Sequence, residues 1–257
     1  MAVFTSSYAG HYDQLYAEKD YGRETALIEE TANRYASNKP RKIIDIGCGT
    51  GSHSLLLAAA GFEMTGIDRS ESMIALAQSK VANLPIGSRP VFKCASIQDF
   101  QLEAKADMAI MMFAVISYLT TNEDLLEGLK NIRANLAAGA LLVFDFWSGP
   151  AVLSVRPTER MREINTPNGL TVLRSAKTTL DINAHTADVT FKLWNLRGSV
   201  LESVTEETHT MRYLFPQEMR LFLNMAGFSL ENLTAFPSQD KALTDNDWNA
   251  FAVARAI

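Results

Sequence analysis

The chain reads as a doubly wound α/β fold, a mostly parallel sheet covered by helices on both faces, with an antiparallel β lid inserted into it. Three features predict this. Strands and helices alternate between Lys42 and Phe144, a glycine-rich turn joins the first strand to the helix after it, and from about Gly169 the pattern changes to long runs rich in Val, Thr and Leu.

A polar, tyrosine-rich start leads into Glu24 to Tyr35, a helix with Ala26, Leu27, Ala32 and Tyr35 among its apolar positions, ended by Pro40. Lys42 to Ile46 is a short strand, and Ser54 to Ala60 a strong helix former closed by Gly61. Phe62 to Ile67 is the next strand, Glu71 to Lys80 the next helix, and Pro90 to Lys93 a third strand after a loop containing Pro85 and Gly87. Asp107 to Met112 makes a fourth strand, Asp124 to Leu136 a helix, and Ala140 to Phe144 a fifth strand behind the turn residue Gly139. Leu170 to Leu180, Ala187 to Leu196 and Val200 to Leu214, broken near Asn183 and at Arg197-Gly198-Ser199, predict a three-stranded antiparallel meander. Pro216 to Ala226 is a helix with Pro in its first turn and Gly227 past its end, and Phe228 to Ala235 and Trp248 to Ala256 are two final strands. The expected divisions are an α/β core with an N-terminal lid segment over 1–150, the inserted sheet over 151–215, and a helix and strand pair over 216–257 that completes the core.

The 257 residues, 47% of them hydrophobic, can bury a substantial core. A net charge of −5 with 21% charged residues gives no large positive field, which argues against nucleic acid and anionic lipid as partners. Cys48 and Cys94 form no CxxC pair and suit free thiols in a reducing compartment. Met1 to Gly10 lacks the basic start and apolar run of a signal peptide, and no stretch approaches the roughly 20 apolar residues that span a bilayer. The expectation is a cytoplasmic protein without a membrane partner.

The densest chemical signal is Asp45-Ile46-Gly47-Cys48-Gly49-Thr50-Gly51, set between an apolar strand and a helix. Glycines there let the backbone approach a ligand, while the helix start offers free N–H groups. The next strand ends at Gly66-Ile67-Asp68, where an acid can accept hydrogen bonds from both hydroxyls of an adenosine ribose. A dehydrogenase would use G-x-G-x-x-G, but Ser52 occupies the third position counted from Gly47 and Gly49. Asp45, two residues ahead of the first glycine, suits a cofactor bearing an ammonium group better than one bearing a pyrophosphate. That charge logic favours S-adenosylmethionine (SAM).

On these residues the sequence resembles class I SAM-dependent methyltransferases, whose first motif D-x-G-x-G-x-G is matched by Asp45, Gly47, Gly49 and Gly51. The resemblance implies a seven-stranded, mostly parallel, Rossmann-like sheet ending in an antiparallel hairpin. It also implies Gly47 and Gly49 along the methionine portion of SAM, Asp68 on the ribose, and Arg69 and Met73 beside the adenine. Cys94 to Phe100 resembles the following motif, with Ser96 where an acid commonly meets the adenine amino group and Ile97 against the ring. Tyr12, Tyr21, Asp45, Cys48 and Met112 complete the expected cofactor contacts.

The likeness extends to small-molecule N-methyltransferases that act on nucleotide-linked amino sugars or on glycine and sarcosine. It runs through Tyr12-Asp13-x-x-Tyr16 with Lys19-Asp20-Tyr21, Met112 to Leu119, Asp145-Phe146-Trp147, and His209-Thr-Met-Arg212-Tyr213 with Glu218 and Ala226-Gly227-Phe228. It implies methyl transfer to a small acceptor, with Tyr118 where some sugar-amine enzymes carry histidine. Transfer from a sulfonium is an in-line displacement, so alignment can provide much of the acceleration, and an enzyme with no obvious base is easier to reconcile with a nitrogen acceptor. The four histidines, His11, His53, His185 and His209, form no metal-spaced pair and no recognisable triad, so no metal is expected. Tyr21 and Tyr118 are the candidate catalytic positioning groups, and Tyr16, Tyr118, Trp147, Arg174 and His209 the candidate acceptor contacts. The alternatives are O-methylation of a sugar or other metabolite, a non-catalytic SAM-binding module, and a dehydrogenase. A homodimer is the assembly considered beside a monomer.

Overall fold

The protein is described by a computed structural model covering residues 12–166, apart from 83, 86 and 88, and residues 169–257. His11 and the Met1 to Gly10 segment named above lie outside the described residues.

Residues 12–15 are helical, followed by helix α1 (Tyr21–Tyr35), which starts earlier than its apolar residues predict because Asp20 accepts a hydrogen bond from the Arg23 amide at 2.9 Å and caps it. The main sheet takes strands β1 (Lys42–Ile46), β2 (Glu63–Asp68), β3 (Val91–Cys94), β4 (Ala106–Met111), β5 (Leu136–Trp147), β10 (Phe228–Ala235) and β11 (Asn249–Ala256) in the order β10-β11-β5-β4-β1-β2-β3. Strand β11 alone runs antiparallel to its neighbours, pairing with β5 and β10. Helices α2 (Ser52–Ala59), α3 (Glu71–Val81), α4 (Asn122–Ala134) and α6 (Pro216–Met225) complete the wrapping. This is the seven-stranded Rossmann-like architecture expected of the sequence. No helix among the described residues is long and apolar enough to cross a membrane.

Side-chain alternation divides the core. Ile43, Met108, Ile110, Leu141 and Val143 face α1 and α2, where Ile28 and Leu57 meet them. Their neighbours Ile44, Ala109 and Leu142 point the opposite way, toward Leu129 and Ile132 of α4 and Leu223 of α6. Burial on both faces explains why these strands read as continuous apolar runs. Strand β5 is longer than predicted, with Gly139 (φ 78°) inside it rather than before it.

The lid carries four strands, not three: β6 (Arg160–Asn165), β7 (Leu170–Asp181), β8 (Thr186–Arg197) and β9 (Val200–Arg212), paired antiparallel in that order. Strand β6 escapes sequence patterning because Arg-Met-Arg-Glu-Ile-Asn has no apolar face; all but one of its residues are exposed, and its charges blunt the edge. Helix α5 (Gly149–Val155) was also unpredicted. The lid leaves and rejoins the core at one point, where the Leu214 amide donates to the Trp147 carbonyl and the Gly149 amide to the Leu214 carbonyl, each at 2.9 Å.

Gly66 in β2 is required by space: a Cβ there would lie 2.6 Å from Phe92 Cδ1 and 2.9 Å from Cys48 Sγ. Gly66→Ala is expected to destabilise the fold by about 1–3 kcal/mol in urea denaturation, the usual cost of an overpacked core. A loss under about 0.5 kcal/mol would show that Phe92 moves aside freely.

Candidate active site

The strand order reverses between β1 and β4, so their carboxyl ends open into a crevice. A cleft of about 380 Å³ occupies it. Gly47 and Gly49 at its floor have positive φ (68° and 54°), but for different surroundings. A Cβ on Gly47 would strike Val115 Cγ1 at 2.4 Å, whereas one on Gly49 would face space, its nearest neighbour being Tyr12 Cε1 at 4.0 Å. Gly47 is therefore needed for packing and Gly49 leaves room for a ligand.

At the end of β2, Asp68 accepts the Gly49 amide on Oδ2 at 2.9 Å and the Ser70 amide on Oδ1 at 2.8 Å. It thereby ties the glycine turn to the start of α3, and each oxygen retains capacity for one more hydrogen bond. Burial raises its carboxyl pKa against those two amides.

Of the residues singled out from sequence, Tyr12, Gly47, Gly49, Asp68, Arg69, Met73, Ser96, Ile97 and Met112 line the side of the cleft above β1 to β3 and its junction with β4. Tyr16, Tyr118, Trp147 and His209 line the side beneath the lid, joined there by Phe113 and Phe191. The Arg69 guanidinium lies 5.9 Å from the Tyr118 ring centroid, linking the two sides.

Four of the expected contact residues do not line the cleft. Tyr21 opens α1, packs edge-on against His53 at 5.1 Å and lies under the Lys19 ammonium, and burial pushes its phenol up to about 12. Asp45 is buried and accepts the Ser54 hydroxyl at 2.7 Å. Its carboxylate faces α2 because residues alternate along β1, placing it behind the turn. Cys48 packs with Ile74, Ala77 and Phe92, and burial drives its thiol pKa well up. Arg174 stands one layer back, donating to the Tyr16 hydroxyl at 3.1 Å with its guanidinium 4.2 Å from the Phe191 ring.

Three groups that sequence reasoning passed over organise this site. Asp145, buried near the C-terminal end of β5, accepts the Phe113 amide at 2.5 Å and the Ala114 amide at 3.0 Å on Oδ1, and the Asn249 side-chain amide at 3.2 Å on Oδ2. Phe113 and Ala114 both hold positive φ (74° and 53°), a conformation costing a non-glycine residue about 1–2 kcal/mol. The carboxylate offsets that strain and so delivers the 3-10 turn Val115–Tyr118 over Gly47. An acid inside an apolar strand was the available sequence signal. Glu24 is the second group, held between His53 Nε2 at 2.7 Å and Lys19. Burial opposes its ionisation, but those two partners outweigh it and keep its carboxyl below the usual range. Together with Asp13, which accepts the Thr50 hydroxyl at 2.5 Å and pairs with Lys80 at 2.7 Å, Glu24 seats the N-terminal segment across the glycine turn. Third, Glu207 meets His209 Nε2 at 3.3 Å, while His209 Nδ1 meets the Tyr118 hydroxyl at 2.8 Å. Positions 207 and 209 share one face of β9, a pairing hidden until the strand is placed.

An open α/β sheet with a ligand crevice at its switch point, a glycine turn and an acid closing the next strand defines a nucleoside-binding architecture. Residues 43–139 match a methyltransferase domain family. The Bacillus subtilis (strain 168) protein named "Putative methyltransferase YqeM" is 29% identical over 232 residues, covering 89% of this chain and 87% of that protein. The dTDP-3-amino-3,4,6-trideoxy-alpha-D-glucopyranose N,N-dimethyltransferase of Streptomyces venezuelae is 23% identical over 238 residues, covering 92% and 96%. A crystal structure of a SAM-dependent methyltransferase from Clostridium acetobutylicum ATCC 824 shares the fold, with a TM-score of 0.81 at 17% identity over 97% of this chain and 98% of that one. The chain carries a methyltransferase domain over residues 43–139 on the class I fold, and over most of its length it resembles the sugar-amine N-methyltransferases.

Burial raises the Asp145 pKa from 3.8 to about 6, so the folded protein keeps a proton there that the unfolded chain has released. Asp145 thus subtracts stability as pH rises from about 4 to 6. Asp145→Asn keeps an acceptor for the Phe113 and Ala114 amides and removes the charge. In urea denaturation across this window, the variant's stability relative to wild type is expected to rise by up to about 3 kcal/mol with increasing pH. Parallel curves would mean that Asp145 ionises without penalty.

Proposed function

We propose that this enzyme methylates the nitrogen of a small amine, of the amino-sugar or amino-acid-like class, in the part of the cleft beneath the lid. What supports this reading is that Tyr16, Tyr118, Trp147 and His209 line the same cleft as Asp68 and Gly49. Likeness to the Streptomyces venezuelae sugar-amine enzyme over 92% of the chain supports it.

The chain's residues fit SAM. Asp68 has two acceptor sites to spare for the ribose hydroxyls, and Gly49 leaves open the volume a side chain would take. Gly47 and Gly49 run beside the methionine portion, Arg69, Met73, Ser96 and Ile97 border the adenine, and Tyr12 and Met112 close the pocket. When bound, SAM supplies a methyl group made electrophilic by its sulfonium. Tyr16, Tyr118, Trp147 and His209 hold the acceptor so that its lone pair lies in line, which provides much of the acceleration. Tyr21, Asp45, Cys48 and Arg174 act from behind, fixing the residues that touch ligand. In this reading residues 151–215 are a lid on a core formed by 1–150 and 216–257. The protein works in the cytoplasm without nucleic acid or membrane, and a homodimer is testable by light scattering.

Asp68→Ala is expected to weaken SAM binding by about 1.5–3 kcal/mol in titration calorimetry, the scale for charge-assisted hydrogen bonds to two hydroxyls. Unchanged affinity in a folded variant would remove Asp68 from the site. For the acceptor, a panel of amino sugars, their nucleotide conjugates and small amino acids, each with its hydroxyl counterpart, is scored by S-adenosylhomocysteine release. Turnover is expected with an amine and not with its hydroxyl counterpart; the reverse preference would overturn N-methylation.

A further inference from the structure

We propose that Tyr118, His209 and Glu207 form a proton relay that takes from the acceptor ammonium the proton it must lose before its nitrogen can attack. The proposal rests on the amine reading above. It gives a chemical task to three side chains that alignment of the substrate alone does not require.

The relay joins the core to the lid. Tyr118 ends the 3-10 turn that Asp145 positions, and its hydroxyl meets His209 Nδ1 at 2.8 Å; His209 Nε2 meets Glu207 Oε2 at 3.3 Å. His209 and Glu207 are 1% and 6% exposed, so water cannot readily replace either link. A carboxylate oxygen beside Nε2 favours the tautomer in which Nε2 carries the imidazole proton and Nδ1 accepts from the Tyr118 hydroxyl. This tautomer is the one a relay requires, with a basic nitrogen directed along the phenol toward the cleft.

The charges facing the pair fit the task. Burial pushes the His209 pKa below its ordinary value, Arg174 on β7 and Arg69 after β2 push the same way, and Glu207 opposes them. The ring is therefore neutral and ready to accept at neutral pH. Burial raises the Tyr118 phenol, with Tyr16, Asp68 and Glu207 adding to the effect and Arg69 opposing it. A phenol held so firmly protonated cannot serve as a phenolate base. It can pass a proton on while it receives another.

In the step, an ammonium N–H bond breaks as its proton moves to the Tyr118 oxygen, and the phenol's own proton moves to His209 Nδ1. The amine is left neutral, with the lone pair that forms the new N–C bond, and the positive charge now sits on the His209 imidazolium against the Glu207 carboxylate. After product leaves, the imidazolium returns its proton through Tyr118 to solvent. The carboxylate lowers the cost of moving charge from an amine onto a buried ring, as the acid does in Ser-His-Asp triads. Tyr118 and His209 line the cleft; Glu207 is a positioning residue that acts through His209.

The test uses the full-length enzyme and whichever amine the acceptor panel identifies, with kcat/KM followed from pH 6 to pH 10 and SAM affinity checked at each pH. Tyr118→Phe and His209→Asn, the latter keeping an acceptor where Nδ1 stood, are each expected to lose about 100-fold or more at neutral pH. Their deficit should shrink to within about tenfold once pH exceeds the amine's own pKa, because solvent has then done the relay's work. Glu207→Gln should show an intermediate loss and the same closing gap. Profiles that run parallel to wild type at a constant offset would make these residues structural supports and overturn the relay alone. Failure of wild type to methylate any amine would instead overturn the amine reading, and the relay with it. An independent arm is the 15N spectrum of His209 in the resting enzyme, where a neutral ring protonated on Nε2 is expected at pH 7 and one protonated on Nδ1 would rule the relay out.

Discussion

The active-site geometry depends on a single buried carboxylate. Asp145 lies buried near the carboxyl end of β5 and accepts hydrogen bonds from two consecutive backbone amides whose residues, Phe113 and Ala114, are held in the left-handed region. Neither residue has glycine's freedom, so the turn persists because the acid satisfies both N–H groups where no water competes. From that turn the chain can descend only over the glycine loop. Val115 then fills the place where Gly47 would carry a side chain, and Tyr118 reaches under the lid. A buried charge is costly, and burial accordingly pushes the Asp145 carboxyl up from the ordinary carboxylate range. The core bears it in exchange for a fixed wall of the cleft.

A second carboxylate performs the matching task on the cofactor side. Asp68 draws the Gly49 and Ser70 amides together, so the turn after β1 and the helix after β2 are set by one side chain at the switch point of the sheet. The two acids tie the turns after β1 and β4 to side chains on β2 and β5, strands that are buried on both faces. The N-terminal segment has less support of this kind. It is seated by contacts among Glu24, His53 and Lys19 and among Asp13, Thr50 and Lys80, none of them on a strand of the sheet.

The lid completes the site from a distance in sequence. It departs and returns at Trp147 to Gly149 and Leu214, where backbone hydrogen bonds clasp the two crossings. Its inner face brings Arg174, Phe191, Glu207 and His209 against Tyr16 and Tyr118. The positions alternate along paired strands, so a single register error would turn all of them to solvent. The inserted sheet is thus a wall of the cleft as much as a cover.

Much of this was legible in the residues. Apolar strands alternating with helices, the Asp45 to Gly51 motif and Asp68 after the second strand determined the sheet, the crevice and the cofactor, because each is a local pattern with one low-energy backbone solution. Strand β6 was not legible, since an exposed charged edge strand has no period to read and exists only by pairing with β7. The direction of the Asp45 and Cys48 side chains, away from the cleft, was not legible either: sequence gives neighbours along a chain, while the side a residue faces depends on what packs against it. The four histidines showed no triad in sequence, yet the tertiary structure joins His209 to Tyr118 across 91 positions and to Glu207 on the same strand. Linear spacing cannot encode a contact between a loop of the core and a strand of the lid; only the register of the lid and the strained turn at Phe113 and Ala114 bring those atoms within hydrogen-bonding distance.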